Sequence, residues 1–350
     1  MPMPPPETSA PNDSGRGDDF VEPFQIESIG GGVRGRLVRL GPLVDDILTR
    51  HDYPEPVARL LGEALTLTSA LAAGLKFNGS FSLQAQGDGV VSLLVADVTA
   101  DGEMRGYAKF DPQRLSAASV DSTVRAAGDV GLMGRGYLAF TADPGDDGDR
   151  YQGIVDLAGE TLAQCAEHYF RQSEQIETRI LAAAEPRQRP NGAREWRAGA
   201  LMLQRLPTDE QHPGGARNAY DSESSGPVSD EDWNRAVMLM ATSTADELTD
   251  ATLPARRLLY RLYHEDGVRV FPRKALSRGC RCSEHRVQRI LASLPRDDLS
   301  DLAEDGKLVM TCEFCSRDFV AELGADGAGA DIRVVNTPEA GAGLDTGRLH

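Results

Sequence analysis

Four of the five cysteines in this 350-residue chain fall into two close pairs, Cys280-Arg281-Cys282 and Cys312-Glu313-Phe314-Cys315, with residues 283 to 311 between them. Thiolates are soft ligands, and two short-spaced pairs match a closed tetrahedral zinc site with Zn–S bonds near ~2.3 Å and no open position for a substrate. A closed site serves structure or sensing rather than hydrolysis. The first pair is C-x-C, whereas the ligand pairs of a zinc ribbon usually have at least two residues between them. A disulfide closing so tight a ring is strained, and strained, exposed disulfides are the labile, regulatory ones. Metal-held thiolates are also targets of peroxide or hypochlorite, and their oxidation to disulfides removes the ligands and frees the metal. Spacing alone leaves two uses open, a redox switch and a structural zinc knob with no redox duty.

The other chemistry-bearing residues form no comparable pattern. His285 follows the first pair closely, but four cysteines already fill the site. Cys165 sits beside Ala163 and Ala166 in a helical pattern and reads as a small buried hydrophobe. Gly30-Gly31-Gly32 lacks the strand before it and the spacing after it that a phosphate-binding loop requires. No Ser-His or His-x-x-x-His arrangement is present, so no enzyme is expected. Arg278, Arg281, Arg286 and Arg289 raise the alternative of a zinc-ribbon-type nucleic-acid-binding protein. Against it, Asp and Glu nearly balance Lys and Arg over residues 273 to 320, and the whole chain carries a formal charge of -17, which repels phosphate backbones. Neither nucleic acid nor membrane is expected as a partner: the most apolar stretch, Ala64 to Leu75, falls short of the ~20 apolar residues of a membrane-spanning helix.

The elements that must position the cysteines follow from periodicity. Val33 to Leu40 reads as a strand, and a helical pattern runs from Glu55 to about Lys76 with one buried face carrying Val57, Leu60, Leu61, Ala64, Leu65, Leu67 and Leu71. Ser80 to Gln86 alternates strictly, with Phe81, Leu83 and Ala85 on one side; Gly87-Asp88-Gly89 supplies a turn and Val90 to Val98 a returning strand. Further strands are expected at Met104 to Phe110, Gly136 to Thr141, Tyr151 to Val155 and Ala200 to Leu206, with a helix from Glu160 to Arg171. Ser229, followed by three acidic residues, opens a helix with Trp233, Ala236, Val237 and Met240 along one stripe, and Pro254 to His264 forms another. Within the cysteine block, Glu284 to Leu294 is helical and Leu308 to Met310 a short strand.

These patterns predict an α+β protein. A disordered tail (residues 1–19), with neither a basic start nor an apolar run, precedes a core domain (20–207) of antiparallel strands and a central helix. A polar, Gly- and Ser-rich insert (208–228) leads to a helical linker (229–272), a four-cysteine zinc module (273–320) and a Gly- and Ala-rich flexible tail (321–350). Zinc binding in such modules is worth ~10–16 kcal/mol, comparable with the ~5–15 kcal/mol net stability of a whole domain, so losing the metal should unfold this one.

With the cysteine pattern in place, the chain resembles the heat shock protein 33 family of bacterial redox-regulated chaperones. The likeness extends over roughly residues 20 to 320 and includes His51-Asp52-Tyr53-Pro54, Gly62-Glu63-Ala64-Leu65, Gln86-Gly87-Asp88-Gly89 and Gly106-Tyr107-Ala108. More specific are Tyr151-Gln152-Gly153-Ile154-Val155, Gly159-Glu160-Thr161-Leu162-Ala163, Gln172-Ser173-Glu174-Gln175 and Arg261-Leu262-Tyr263-His264-Glu265. The resemblance implies a cytoplasmic, ATP-independent holdase of the stress response. Reduced, it is an inactive monomer holding one zinc ion on Cys280, Cys282, Cys312 and Cys315. Oxidised, it carries the disulfides Cys280–Cys282 and Cys312–Cys315, releases zinc, unfolds its linker, forms a homodimer and binds unfolding client proteins. Trp233, Met238, Leu239 and Met240 are the expected linker surface that changes exposure, Met-rich and so adaptable to varied clients. The long N-terminal tail, the polar insert and the Gly-rich C-terminus depart from the compact family pattern.

Overall fold

Alternating and fully apolar segments build two six-stranded sheets with one long helix between them. The computed structural model describes residues 18–27, 32–75, 77–118, 129–145, 150–189, 191–206, 228–295, 299, 301, 303, 307–322 and 333–336. In chain order the first half comprises β1 (Phe20–Ile26), β2 (Val33–Leu40), α1 (Pro42–Thr49), α2 (Glu55–Ala72), β3 (Ser80–Gly87), β4 (Val91–Thr99), β5 (Glu103–Phe110) and α3 (Pro112–Ala118). Then follow β6 (Gly136–Asp143), β7 (Tyr151–Asp156), α4 (Leu162–Tyr169), β8 (Thr178–Gln188), β9 (Arg194–Arg205), α5 (Asp230–Met240), α6 (Ala245–Thr249) and α7 (Ala255–Tyr263). The chain closes with β10 (Val268–Val270), β11 (Lys274–Ala275), β12 (Ser277–Arg278), α8 (Glu284–Ala292), β13 (Lys307–Thr311), β14 (Asp318–Glu322) and β15 (Arg333–Asn336). The first sheet runs β10-β1-β2-β9-β8 with β11 also on β1, the second β12-β5-β4-β3-β6-β7, and the third β13-β14-β15. All pairings are antiparallel except β12 with β5. The α+β class expected from the sequence is the one observed.

Helix α2 packs against β4 and β5 on one side and against β8 and β9 on the other. The expectation of a single buried face is therefore corrected: nearly every residue from Val57 to Ala72 is buried, including Thr66, Thr68 and Ser69. Those hydroxyls donate to carbonyls one turn back, at Glu63 (2.8 Å), Ala64 (2.7 Å) and Leu65 (2.9 Å), and Ser69 also lies 3.2 Å from the Met104 sulfur of β5. Gly62 faces β8 so closely that a Cβ there would lie 2.5 Å from the Ala184 methyl carbon.

The first sheet is buried on both faces, because the segment from α5 to α7 covers the side turned away from α2. Even-numbered Phe20, Phe24 and Ile26 join Val33, Leu37, Leu201 and Leu203 beneath Trp233, Met240, Leu258, Leu259, Leu262 and Tyr263. Phe24 stacks on Tyr263 with ring centroids 5.8 Å apart. Polar fastenings flank this cluster. Arg39 donates to the carbonyls of Glu247 (2.8 Å) and Asp250 (2.6 Å) at the end of α6, where a cation meets the negative end of the helix. Arg256 of α7 pairs with Glu22 of β1 at 2.7 Å. Of the expected linker surface, Trp233 and Met240 are buried and Leu239 packs at the edge of the cluster, but Met238 points outward at 65% exposure. Met238 is already largely exposed in this state.

Gly35 lies opposite Phe24 in the β1–β2 register, and the Phe24 ring occupies the space over it: a Cβ would meet Cζ at 1.9 Å. Gly35→Ala is expected to push that ring into Tyr263 and to cost about 1–3 kcal/mol by overpacking. The urea midpoint should fall and amide exchange across 255–263 should accelerate. A midpoint equal to that of the parent protein would show that the ring has room to move.

Three expectations about segments change. Residues 268–270 of the helical linker form β10, which pairs with β1, and Lys274–Ala275 at the start of the zinc module also pair with β1 as β11. Within the flexible tail at 321–350, residues 333–336 form β15 and pair with β14. Residues 1–17, 207–227 and 337–350, which hold most of both tails and of the polar insert, lie outside the described residues, as do Gly30, Gly31 and Lys76. Among the described residues no helix is long and apolar enough to cross a membrane.

Candidate metal centre

Strand β12 leads directly into Cys280, and Ser283, just after Cys282, starts α8 by accepting from the Arg286 amide at 3.2 Å. The second pair sits at the tip of the β13–β14 hairpin. There the Cys312 amide donates to the Arg317 carbonyl (2.8 Å), the Ser316 amide donates to the Cys312 carbonyl (2.8 Å), and Ser316 takes a left-handed backbone with φ of 55°. Thr311 donates to Asp318 across the base of the tip at 2.6 Å. Behind the pairs, Val287, Leu291, Leu299, Leu308, Phe319 and Ala321 form a small apolar cluster.

The four sulfurs all lie within 4.8 Å of one another, with Cys280 to Cys312 at 3.7 Å and Cys282 to Cys315 at 3.5 Å. A tetrahedron with ~2.3 Å metal–sulfur bonds has edges of ~3.8 Å, so the set fits a four-thiolate zinc site. The separations are far beyond the ~2.05 Å of a disulfide, and all five cysteines are free. Cys315 is buried at 6% exposure and the other three are half-buried. Hydrogen bonding from the Cys312 thiol holds Cys280 down to about 4, while burial pushes Cys282 up to about 12 and the bond to Cys280 raises Cys312. Among these three, Cys280 is thus the favoured thiolate. Four thiolates this close need a cation to ionise together, which is the chemistry of a metal-binding set.

Residues between the ligands help fasten this module to the first domain. Arg281, inside the first pair, donates to Asp97 of β4 at 2.6 Å, and Asp97 also accepts from Arg105 of β5 at 2.8 and 2.6 Å. Phe314, inside the second pair, lies under the Arg105 guanidinium at 3.9 Å and edge-on to Tyr107 at 6.3 Å. Tyr107 in turn meets His51, whose Nδ1 is 3.3 Å from the Ser316 hydroxyl. Burial lowers the His51 pKa, and burial together with the neighbouring Glu313 raises that of Tyr107. Arg278 pairs with Asp46 at 2.5 Å. Two of the four arginines considered as phosphate contacts are thus engaged by acids of the first domain. Spacing arguments single out the four ligands and miss Arg281, Glu313 and Phe314 as docking residues. The available signal was Phe314, an aromatic inside a ligand pair that calls for an apolar partner elsewhere. Outside the module, Cys165 is buried in α4 and its pKa is raised by that burial.

Comparison with known proteins points in one direction. The family model described as Hsp33 protein matches residues 23–322, a span that includes all four clustered cysteines. The chain is similar to the 33 kDa chaperonin of Caulobacter vibrioides (strain NA1000 / CB15N), with 44% identity over 306 residues covering 87% of this chain and 95% of that protein. It is also similar to the 33 kDa chaperonin of Photorhabdus laumondii subsp. laumondii, 38% identical over 291 residues, covering 82% of this chain and 88% of the relative. In fold it matches the crystal structure of the 33 kDa chaperonin (heat shock protein 33 homolog) of Thermotoga maritima, with a TM-score of 0.66 at 19% identity over 87% of this chain and 95% of that one.

Proposed function

The chain belongs to the Hsp33 family, and from that premise we propose that it is a redox-switched, ATP-independent holdase acting in the cytoplasm under oxidative stress. Its relatives bear a chaperonin's name rather than an enzyme's, in keeping with a protein that holds clients and catalyses nothing. In the reduced state Cys280, Cys282, Cys312 and Cys315 hold one zinc ion, which organises the module from 273 onward. Zinc supplies the positive charge that keeps the four sulfurs ionised together. On oxidation Cys280 pairs with Cys282 and Cys312 with Cys315; forming each disulfide takes two electrons from a pair of thiolates, and these, with two protons from solvent, reduce one hydrogen peroxide to two waters. With its ligands gone the metal leaves, the linker at 229–272 loosens from the core domain at 20–207, and the uncovered apolar face binds unfolding proteins. The reduced form is a monomer and the oxidised form a homodimer.

The observation that carries this reading is the sharing of residues between coordination and docking. Arg281 and Phe314 lie inside the two ligand pairs and also contact Asp97 and Arg105 of the first domain. A rearrangement of either pair therefore disturbs the contact that holds the module in place. The test is light scattering by a heat-unfolding client in the presence of this protein, either reduced with zinc or treated with peroxide under mild warming. Suppression of aggregation only after oxidation is expected. Failure in both states would reduce the cysteines to a structural zinc knob.

A further inference from the structure

We infer that the face uncovered by linker release selects its clients by charge as well as apolarity, taking a helical segment that presents an apolar stripe with a basic residue beside it. This rests on the linker-release reading above. The covered face of the first sheet is made of Phe20, Phe24, Ile26, Leu37, Leu201 and Leu203, and in line with the even-numbered residues of β1 it carries one carboxylate, Glu22, at 0% exposure. Both cations that pair with Glu22 come from the far end of the chain: Arg256 of α7 at 2.7 Å, and Arg273, between β10 and β11, at 3.2 Å. A carboxylate in apolar surroundings is costly unless a cation meets it, so departure of the linker together with Arg273 at the start of the zinc module leaves Glu22 as an anionic anchor in the middle of an apolar surface.

The segment that fills this face in the closed state defines what fits it. Helix α7 (ARRLLYRLY) buries Leu258, Leu259, Leu262 and Tyr263, while Arg256 sits one turn before Leu259 and reaches Glu22 from the edge of the stripe. A client helix with the same arrangement repeats both the apolar and the ionic contact. An acidic counterpart with an equal stripe leaves Glu22 facing a like charge. The formal charge of -17 adds long-range attraction for basic segments, but it falls off with salt and is spread over the whole surface, whereas the Glu22 contact is local.

The test uses the oxidised full-length protein and two fluorescent helical peptides with identical apolar stripes, one carrying arginine and the other glutamate at the position equivalent to Arg256. Fluorescence anisotropy should give about tenfold tighter binding of the arginine peptide, equivalent to about 1.4 kcal/mol. In Glu22→Gln, which keeps the shape of the side chain, most of that preference should disappear at fixed salt. Equal affinities for the two peptides in the parent protein overturn the inference without reference to any variant. A preference unchanged in Glu22→Gln also overturns it and assigns the effect to net charge. Binding of neither peptide by oxidised protein that still suppresses aggregation overturns the inference and leaves the holdase reading standing; loss of suppression overturns both.

Discussion

Serine at position 315 is expected to abolish metal binding and to unfold residues 280 to 322 while the two large sheets stay intact. Cys315 is the most buried of the four cysteines and its sulfur lies 3.5 Å from that of Cys282, so a hydroxyl there removes a soft ligand from a site that gathers no fifth donor among the described residues. The module has little else to hold it. Among the described residues its apolar cluster contains six buried side chains, one of them an alanine, and ordering a chain costs about 1–2 kcal/mol per residue in backbone entropy. Metal binding worth ~10–16 kcal/mol is the dominant favourable contribution, and it is lost with the ligand. Metal analysis should read one equivalent of zinc in the parent protein and none in Cys315→Ser. Amide exchange should be fast across 284–292 and 307–322 and slow, as before, across 57–72. Retention of a full equivalent of zinc by the variant would show that another donor completes the site.

That the ligand set could be read from the chain, and the docking surface could not, has a physical reason. Ligation is a local property: Cys280-Arg281-Cys282 and Cys312-Glu313-Phe314-Cys315 carry the short spacings that a metal demands, whatever surrounds them. Docking is a relation between residues far apart in sequence, such as Arg281 with Asp97 or Ser316 with His51, and no periodicity encodes it. The same distinction runs through the fold. Strand β3 alternates visibly because Phe81, Leu83 and Ala85 are buried while Ser82 and Gln84 are half-exposed. Strands β1 and β8 give no such signal, since both faces of their sheet are covered and β1 also contains Glu22 and Pro23, residues that speak against a strand until Arg256 and the gap between β10 and β11 beside Pro23 are seen. Helix α2 reads as one-sided because threonine and serine look polar. Their hydroxyls are satisfied within the helix, which lets that side be buried too. The strand β15 lay hidden in a Gly- and Ala-rich stretch whose short Arg333–Asn336 run is ordered by pairing with β14.

Asp97→Asn separates docking from coordination, because it leaves every sulfur in place. Asp97 is 5% exposed and takes three hydrogen bonds from two guanidiniums, one on its own sheet and one inside the first ligand pair. Removing the charge leaves Arg105 and Arg281 facing each other without an anion between them, and losing one partner of a fully buried ion pair costs about 3–5 kcal/mol. Arg281 is 36% exposed and partly served by water, so the expected loss of docking is smaller, about 2 kcal/mol. That corresponds to a roughly thirtyfold rise in the undocked population. The rise should appear as faster amide exchange at residues 277–282 and 312–316, with zinc content unchanged at one equivalent. It should also lower the peroxide dose at which the metal is released, because an undocked module exposes Cys282 and Cys312 more often. Phe314→Ala removes the ring beneath Arg105 and should act in the same direction by a separate contact. If both variants exchange and oxidise like the parent protein, the contacts between Arg281, Phe314 and the first domain do not restrain the switch, and the threshold is set within the zinc module itself.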